Sequence, residues 1–490
     1  MSLKRDSTVP LYQQIVDHVR AQVDGGQLTG GTRLPTVRQL AADMGLTRLT
    51  VHTAYAELQS QGYIESFVGR GTFVAHARSA PPPVPIRPVL AAAPLAQDRN
   101  QLRLGELMRL TEKADLLSFA QAIPAPDAYP NFSAAFQHVP SDGLGYGPIQ
   151  GDLDLRTEVS ELLNTRGLSV TADDILINGG AQQAIFLAVQ AFCRPHDTVL
   201  VEEPTYSGVI ELASQRGQRV VSVPMDSDGI NLSALEQICA TLRPRILYTI
   251  PTFHNPIGVS LAETRRKALL QLAERWDLLI LEDDVYGWLS YDGPAPLALK
   301  ADDENERVVY IGSFSKVLFP ALRLGAVVAA QPLLLELVAV KESCELVSSL
   351  FMQKALAWWL KKGSFEGHLD RILPLYRERR DAMIEALSKH MPPGSFIAPH
   401  GGFNVWITLP HGTSERELFL EAVERGVGLA RGSQFYYQPT PGAHLRLSFA
   451  AQTPARIRDG VARLGRLLEG HLDRRRTALA RASRAASPLV

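Results

Sequence analysis

The sequence predicts two α/β domains: a small N-terminal one built from short helices and a hairpin, and a larger C-terminal one with a smaller α+β subdomain. Three observations predict this. Short amphipathic helical patterns occupy the chain up to about residue 76. A stretch rich in proline and alanine follows, and beyond it apolar strands alternate with helical segments, which is the pattern of a parallel sheet covered by helices. A chain of 490 residues is long enough for such an arrangement.

The composition narrows the function classes. Lys and Arg (50) nearly balance Asp and Glu (51), so a contact with nucleic acid would have to come from a local patch. Cys193, Cys239 and Cys344 lie far apart, which favours a reducing compartment, no disulfide framework and no metal site, and we expect all three to be buried. The sequence has no apolar run of about 18 residues. We therefore expect no membrane insertion and no secretion, and predict a cytoplasmic protein.

The first domain is predicted over residues 8–76 and begins with an amphipathic helix. Its apolar residues recur at every fourth position, at Leu11, Ile15, Val19 and Val23, before two glycines end the pattern.

Two further helices are predicted from TVRQLAADMG and TRLTVHTAYAELQSQG. Thr36 and Thr47 are suitable N-caps, and Gly45 and Gly62 are suitable C-terminal breakers. Two short helices joined by a few residues form a helix-turn-helix. The next stretch, YIESFVGRGTFVAH, predicts a β-hairpin around a Gly-Arg-Gly turn, so the domain is expected to be a winged helix-turn-helix.

Residues 77–101 are predicted to form a semi-extended Pro/Ala-rich linker. The larger domain is predicted over residues 102–470, with strand candidates TVLVEEP, RILYTIP, LLILEDD and RVVYIGS. From about Pro374 helices mix with shorter strands, FNVWITL and HLRLSFA, which predicts the α+β subdomain. Residues 471–490 are predicted to be a basic tail of low complexity.

The stretch IGSFSKVLFPALRLG, residues 311–325, contains the first candidate for a cofactor site. Ser313 and Ser315 flank Lys316 at spacings that can aim hydroxyl groups at a phosphate, and Arg323 can bind phosphate oxygens in a bidentate manner. A lone lysine at a strand end is more often an ordinary surface residue. A phosphate cradle beside an amine, however, predicts pyridoxal 5′-phosphate held on Lys316 as a Schiff base.

The other requirements of that cofactor are met elsewhere in the sequence. The pyridine nitrogen needs a carboxylate at the end of a buried strand, and LLILEDDVY supplies Asp283. Tyr286 and Asn255 are candidate donors to the ring oxygen. As alternatives, Asn255 before Pro256 could be a routine turn residue, and we expect Asp284 to be a solvated neighbour of Asp283.

A phosphate is best received by free backbone N–H groups at the start of a helix. NGGAQQAIFLAV places Gly180, Ala181 and Gln182 at such a start. Tyr206 in EEPTYSG is a candidate for the aromatic ring that covers the cofactor, although it could also simply follow a strand.

In this order the motifs resemble those of the fold-type I aminotransferases, of the aspartate aminotransferase kind, over roughly residues 116–468. The resemblance implies that Lys316 carries the internal aldimine, that Asp283 pairs with the pyridine nitrogen, and that Asn255 and Tyr286 bond the ring oxygen. Ala181 departs from the family pattern, because many relatives have a hydroxyl residue there, so one side-chain contact with the phosphate is expected to be missing.

The same resemblance implies two further roles. Arg446, in HLRLSFA, would bind a substrate carboxylate, and Tyr146, in GYGPIQG, would reach the phosphate of the neighbouring subunit. The alternative for Arg446 is an ordinary exposed arginine.

The segment GGTRLPTVRQLAADMGLTRLTVHTAYAELQSQGYIESFVGRGTFV resembles the winged helix-turn-helix domain of the GntR superfamily. The resemblance implies that Arg48 and Thr50 open a recognition helix for double-stranded DNA, that Arg38 starts the preceding helix, and that Arg70 with Gly71 tips the wing. Arg38 could instead be a surface ion-pair partner. Five apolar residues are expected in the core rather than on DNA: Leu40, Leu46, Val51, Tyr55 and Leu58.

The two domains together resemble the MocR-type subfamily of GntR transcriptional regulators. The resemblance implies a homodimeric, cofactor-dependent regulator that senses an amino acid, an amine, a sulfonate or pyridoxal phosphate itself through Lys316. The alternative is an active aminotransferase that carries an accessory DNA-binding domain. Sensing and catalysis share their first step, so the sequence leaves both open.

Overall fold

The computed structural model describes residues 9–67, 71–75, 116–140, 145–439 and 442–485, with side chains up to residue 474. The chain divides into two compact units, Met1–Asn100 and Gln101–Val490, which are described separately. The linker predicted at residues 77–101 lies outside the described residues.

The described part of the smaller unit has three helices, Leu11–Asp24, Val37–Asp43 and Arg48–Ser60. They are followed by an antiparallel hairpin of strands β1 (Ile64–Phe67) and β2 (Gly71–Val74). The predicted winged helix-turn-helix is therefore confirmed.

The caps explain why the second and third helices begin where they do. The Thr36 hydroxyl accepts the backbone N–H of Gln39 at 3.2 Å, and the Thr47 hydroxyl accepts the backbone N–H of Thr50 at 3.2 Å. Both threonines were predicted as N-caps.

The core of this unit lies between the first and third helices. Val51, Tyr55 and Leu58 are buried as expected, at 5% exposure or less. Leu40 and Leu46 pack against the same cluster while partly exposed. The remaining face of the third helix is free of core contacts, which leaves it open to solvent.

The larger unit is built on a mostly parallel sheet. Its described strands are β4 (Ile175–Asn178), β5 (Thr198–Glu203), β6 (Arg219–Asp226), β7 (Gly229–Ile230), β8 (Ile246–Thr249), β9 (Leu279–Asp283), β10 (Val308–Ser313) and β11 (Gly325–Val328). They are ordered β4-β11-β10-β9-β8-β5-β6-β7. Strands β10, β9, β8, β5 and β6 are parallel, as predicted, whereas β11 is antiparallel to both of its neighbours and β7 is antiparallel to β6.

Helices cover both faces of this sheet. Alternate residues of one strand enter different apolar clusters: Val199 and Val201 of β5 face one cluster, and Leu200 faces the other. Burial on both faces accounts for the continuous apolar strands of the sequence. The described helices of the larger unit are Ser133–Gln137, Leu153–Asn164, Ala181–Phe192, Ser207–Gln215, Leu232–Leu242, Glu263–Arg275, Gln331–Cys344, Leu350–Lys361, Ser364–His390, Glu415–Glu424 and Pro454–Ala485.

The described strands of the α+β subdomain are β3 (Leu117–Ser118), β12 (Asn404–Thr408), β13 (Val427–Gly428), β14 (Ala430–Arg431) and β15 (His444–Ser448). Three of them form an antiparallel sheet in the order β12-β15-β14. The two short strands β3 and β13 pair in parallel.

Two helices depart from the predicted boundaries. Pro374, where the sequence suggested that the subdomain begins, lies inside the helix Ser364–His390. The last helix continues into the predicted basic tail, as far as Ala485.

Two composition-based expectations can be compared with the structure. Cys193 and Cys239 are buried as expected, but Cys344 is exposed, so that expectation is wrong for one cysteine. Its position at the end of the helix Gln331–Cys344 leaves it at the surface. None of the described helices is long and apolar enough to cross a membrane.

Candidate cofactor site and nucleic-acid interface

Lys316 lies just beyond β10, at the carboxyl end of the parallel strands. Its Nζ donates a hydrogen bond to the carbonyl oxygen of Ala122 at 2.7 Å. Burial, and next the nearby guanidinium of Arg446, lower the pKa of Lys316 to about 8. The lowered pKa raises the fraction of neutral amine near neutral pH above that of an ordinary lysine, which suits attack on an aldehyde.

Asp283 ends β9 beside Lys316 and is 4% exposed. Burial raises the pKa of Asp283 to about 6, and a hydrogen bond from the Tyr248 hydroxyl, at 2.6 Å, acts in the opposite direction. Tyr248 was not predicted from the sequence as a residue of this site. It lies within the apolar strand β8, and only the pairing of β8 with β9 brings its hydroxyl to Asp283.

Tyr286 and Asn255, the predicted donors to a ring oxygen, both contact Asn404, which the sequence analysis did not predict as a site residue. The Asn404 amide donates to the Tyr286 hydroxyl and to the Asn255 side-chain oxygen, both at 3.5 Å. Burial raises the pKa of Tyr286 to about 12, so its hydroxyl keeps its proton at neutral pH. Asn404 begins β12, so the subdomain contributes directly to this site.

A buried carboxylate holds the loop that carries Asn255. Glu202, 1% exposed, accepts the Thr249 hydroxyl at 2.7 Å and the Ile250 backbone N–H at 2.8 Å. His254 Nε2 lies 3.0 Å from the same carboxylate. These contacts fix the backbone immediately before Asn255.

The start of the helix Ala181–Phe192 forms a candidate phosphate cradle. Gly180 is its N-cap with a φ of +100°, a conformation that favours glycine. The backbone N–H groups of Ala181 and Gln182 belong to the first turn, where no helical carbonyl precedes them. Arg323 donates to the Gly179 carbonyl at 2.6 Å, and a Cβ at Gly180 would lie 3.5 Å from its guanidinium.

The two serines beside Lys316 differ in their contacts. The Ser313 hydroxyl accepts the Ser315 backbone N–H at 3.3 Å. The Ser315 hydroxyl is buried and has no hydrogen-bond partner among the described residues. An unpaired buried hydroxyl next to Lys316 and Arg323 fits a bound phosphate oxygen.

Tyr206 is half-buried beside the cradle. Its hydroxyl donates to the side-chain oxygen of Gln182 at 2.8 Å. Gly208 makes room for the ring, because a Cβ there would lie 2.4 Å from it. The hydrogen bond to the Gln182 side chain orients the Tyr206 ring next to the start of the helix Ala181–Phe192.

Arg446 lies on β15 and is 7% exposed, which excludes an ordinary exposed arginine. Its guanidinium donates to the side-chain oxygen of Asn255 at 3.2 Å and to the carbonyl of Ala120, and it stacks over the ring of Phe435. Burial lowers the pKa of Arg446 to about 10, so the group stays charged at neutral pH.

Two predicted neighbours of the site differ in burial. Tyr146 is 89% exposed, and its contact with the phosphate of a neighbouring subunit stays a prediction. Asp284 was expected to be solvated, and this is wrong: it is buried and accepts from Arg166 at 2.9 Å and from the Tyr310 hydroxyl at 3.0 Å. The side chains of Asp283 and Asp284 therefore have separate partners.

The helix-turn-helix presents two of the predicted DNA-contacting arginines to solvent. Arg48, the first residue of the third helix, and Arg38 in the second helix are both exposed. Arg38 has no ion-pair partner among the described residues, which argues against a surface ion-pair role. Thr50 is partly buried, and its hydroxyl lies 2.9 Å from that of the capping Thr47.

The wing is described only in part. Arg70 lies outside the described residues, whereas Gly71 opens β2 with a φ of +113°. A Cβ on Gly71 would lie 3.0 Å from the guanidinium of Arg33, which was missed in the sequence. Arg33 pairs with Phe73 through an isolated backbone bridge, so it adds a positive charge at the base of the wing.

Comparison with protein families agrees with this geometry. Residues 11–74 match the family of bacterial regulatory proteins named gntR, and residues 110–464 match the aminotransferase class I and II family. The fold and the site thus define a GntR-type DNA-binding domain joined to an aminotransferase-class domain, a class whose cofactor is pyridoxal 5′-phosphate. This chain belongs to the MocR-type subfamily of GntR regulators.

The relatives extend over nearly the whole chain. The HTH-type transcriptional regulator YdfD of Bacillus subtilis is 30% identical, over 95% of this chain and 98% of its own length. The probable rhizopine catabolism regulatory protein MocR of Rhizobium meliloti is 29% identical, over 94% of each chain. The structure of α-aminoadipate aminotransferase LysN from Thermus thermophilus, complexed with N-(5′-phosphopyridoxyl)-L-leucine, is 35% identical, with a TM-score of 0.70 over 75% of this chain and 95% of its own.

Proposed function

We propose that this protein is a cytoplasmic transcriptional regulator whose larger domain binds pyridoxal phosphate and senses an amino acid, an amine or the cofactor itself. One observation carries the proposal: a DNA-binding domain and a complete set of candidate cofactor-binding side chains occur on one chain, and a regulator relative aligns over 95% of it. The cofactor supplies an aldehyde and an electron-withdrawing ring when bound.

Each side chain of the site would hold a different part of the cofactor. Lys316 would provide the amine for attachment, Asp283 would pair with the pyridine nitrogen, and Tyr286 with Asn255 would bind the ring oxygen. Tyr206 would cover one face of the ring. The phosphate group would be received by seven residues: Gly180, Ala181, Gln182, Ser313, Ser315, Arg323 and, from a second subunit, Tyr146.

The sensing step involves one short segment of backbone. The carbonyls of Ala120 and Ala122 bind the side chains of Arg446 and Lys316, respectively. Attachment of the cofactor to Lys316 would withdraw the amine from the Ala122 carbonyl, and a ligand whose carboxylate binds Arg446 would compete with the Ala120 carbonyl. Residues 120–122 would then shift, which provides two states that the effector can distinguish.

The same segment is tied to the subdomain a few residues later. Arg371, on the helix Ser364–His390, donates to the carbonyls of Asp127, Ala128 and Tyr129 at 2.9–3.0 Å. In sequence this segment follows the linker from the DNA-binding domain. A displacement at Ala120 would therefore act on a stretch of chain that follows the linker in sequence and is held at residues 127–129 by Arg371.

A homodimer suits both functions. Tyr146, which would contact the phosphate of a second subunit, lies beside Phe351, and Phe351 stacks on Phe136 with 5.9 Å between ring centroids. A second subunit would bury this apolar surface. Two copies also provide two DNA half-site readers.

The test is DNA binding by the purified full-length protein, with and without pyridoxal phosphate, at one fixed salt concentration. The DNA is the region upstream of the protein's own gene. We expect Arg48→Ala to abolish specific binding and Lys316→Ala to remove the dependence on the cofactor. Lys267→Ala, an exposed lysine on the helix Glu263–Arg275, is the matched control and should behave as wild type. Specific binding that survives Arg48→Ala and ignores the cofactor would contradict the proposal.

The second candidate is an active aminotransferase, favoured by the fact that the residues needed for transamination are all present. A sensor should bind its effector without accumulating 2-oxo acid and pyridoxamine phosphate. Rapid ping-pong exchange between amino donors and 2-oxo acids would favour the enzyme instead.

A further inference from the structure

Leu49 is unusually exposed for a leucine on a helix. Its side chain is 74% exposed, compared with 40% for Val9 and 50% for Phe67, the other exposed large apolar residues in the described part of the smaller unit. It is the second residue of the helix Arg48–Ser60 and directly follows Arg48, so it lies at the helix end that enters the major groove in a helix-turn-helix.

The rest of the helix shows which way Leu49 faces. Val51, Ala54, Tyr55 and Leu58 form the buried face. At 100° per residue Leu49 lies on the opposite side, one turn before Thr53. Its position is therefore at the centre of the surface that would be presented to DNA.

The hydroxyl groups near Leu49 already have local partners. Thr53 donates to the carbonyl of Leu49 at 3.0 Å, and the hydroxyl of Thr50 lies 2.9 Å from that of the N-cap Thr47. Leu49 therefore supplies an apolar contact on this surface, with the exposed Arg48 and His52 beside it.

The major groove contains one distinctive apolar group, the C5-methyl of thymine. The other base edges present hydrogen-bond donors and acceptors, and a leucine placed against them would leave those groups unpaired. We propose that Leu49 is a specificity-determining residue that contacts a thymine methyl in each half-site. This proposal rests on the proposed DNA-binding function, and it adds which base this residue selects.

The size of the effect follows from the burial of methyl groups. Removing one methyl group from an apolar contact should weaken binding about fourfold, and about 16-fold when both half-sites lose it. The thymine methyl can be removed without changing base pairing by replacing thymine with deoxyuracil. Because this change is made in the DNA, the effect on wild type does not depend on the folding of a variant.

The experiment uses the full-length protein. Binding sites are first selected from random double-stranded DNA, and each thymine of the selected site is then replaced in turn by deoxyuracil. Affinities are measured for wild type, for Leu49→Ala and for Leu335→Ala, a control that removes a 65% exposed leucine from the larger unit.

We expect one thymine in each half-site at which deoxyuracil weakens wild type and Leu335→Ala about fourfold but leaves Leu49→Ala unchanged. The proposal is overturned if no thymine shows this coupling, or if Leu49→Ala lowers affinity equally for thymine and deoxyuracil. Selection of no sequence by wild type would overturn the proposed DNA-binding function itself, so the two failures can be told apart.

Discussion

Tyr248→Phe tests whether a buried hydrogen bond to Asp283 contributes to the affinity for pyridoxal phosphate. The change removes only the hydroxyl that donates to Asp283 at 2.6 Å, and Tyr248 itself is fully buried. A hydrogen bond to a charged group contributes about 1.5–3 kcal/mol. This bond favours the ionised form of Asp283 over the protonated form, and the ionised form is the one that would pair with the pyridine nitrogen. Its loss should therefore weaken binding of pyridoxal phosphate by about 10- to 100-fold.

The pH dependence gives a second measurement for the same variant. Burial raises the pKa of Asp283 to about 6, so below that pH the carboxyl group is protonated and cannot pair with a protonated ring. Cofactor affinity of wild type should therefore rise as the pH increases from about 5 to 7. The Tyr248 hydrogen bond lowers the pKa of Asp283, so in Tyr248→Phe the rise should move to higher pH.

The assay is titration of the cofactor-free protein with pyridoxal phosphate, followed by absorbance at several pH values. Tyr310→Phe is a matched control, because it removes an equally buried hydroxyl from the adjacent carboxylate, Asp284, at 3.0 Å. Unchanged affinity in a folded Tyr248→Phe would refute this reasoning, and so would an equal loss in Tyr310→Phe.

Three further changes probe other parts of the molecule. Arg446→Ala should abolish the DNA-binding response to amino acids but keep the response to amines without a carboxylate; loss of both would contradict its assigned role. Gly151→Ala should lower the stability of the larger unit by about 1–3 kcal/mol in thermal unfolding, because Gly151 has a φ of +114° and a Cβ there would lie 2.6 Å from Ile177, whereas Gly145→Ala meets open space and should have no effect. Thr47→Ala removes an N-cap worth about 1 kcal/mol, so the helix Arg48–Ser60 should exchange its amide hydrogens faster, while Thr29→Ala should leave that exchange unchanged.

The fold was largely predictable because its signals are local. The caps Thr36 and Thr47 and the apolar strands were read directly from neighbouring residues, and the structure agrees with them. The errors concern tertiary context. Asp284 was expected to be solvated, yet it is buried and pairs with Arg166, from the turn after the helix Leu153–Asn164, far away in sequence. Pro374 suggested a boundary, but the helix Ser364–His390 continues through it because that helix packs along its length against the subdomain.

The candidate site was predictable where its residues end a strand or start a helix, as Asp283 and Gly180 do. Tyr248, Asn404 and Glu202 were missed because each lies within, or at the beginning of, a segment that looks like ordinary strand. Their roles depend on which strands become neighbours and in what register, and that information is not local.

The positions of the contacts separate cofactor binding from effector binding. Asp283 and Gly180 belong to the strand ends and the helix start of the large sheet, which is a rigid, fully covered element. Arg446 and Lys316 instead share the backbone of residues 120–122, a segment outside that sheet. Attachment of the cofactor to Lys316 would withdraw the amine from the Ala122 carbonyl, whereas an effector carboxylate on Arg446 would compete with the Ala120 carbonyl. It follows that Arg446→Ala should keep the cofactor's own effect on DNA binding while losing that of amino acids.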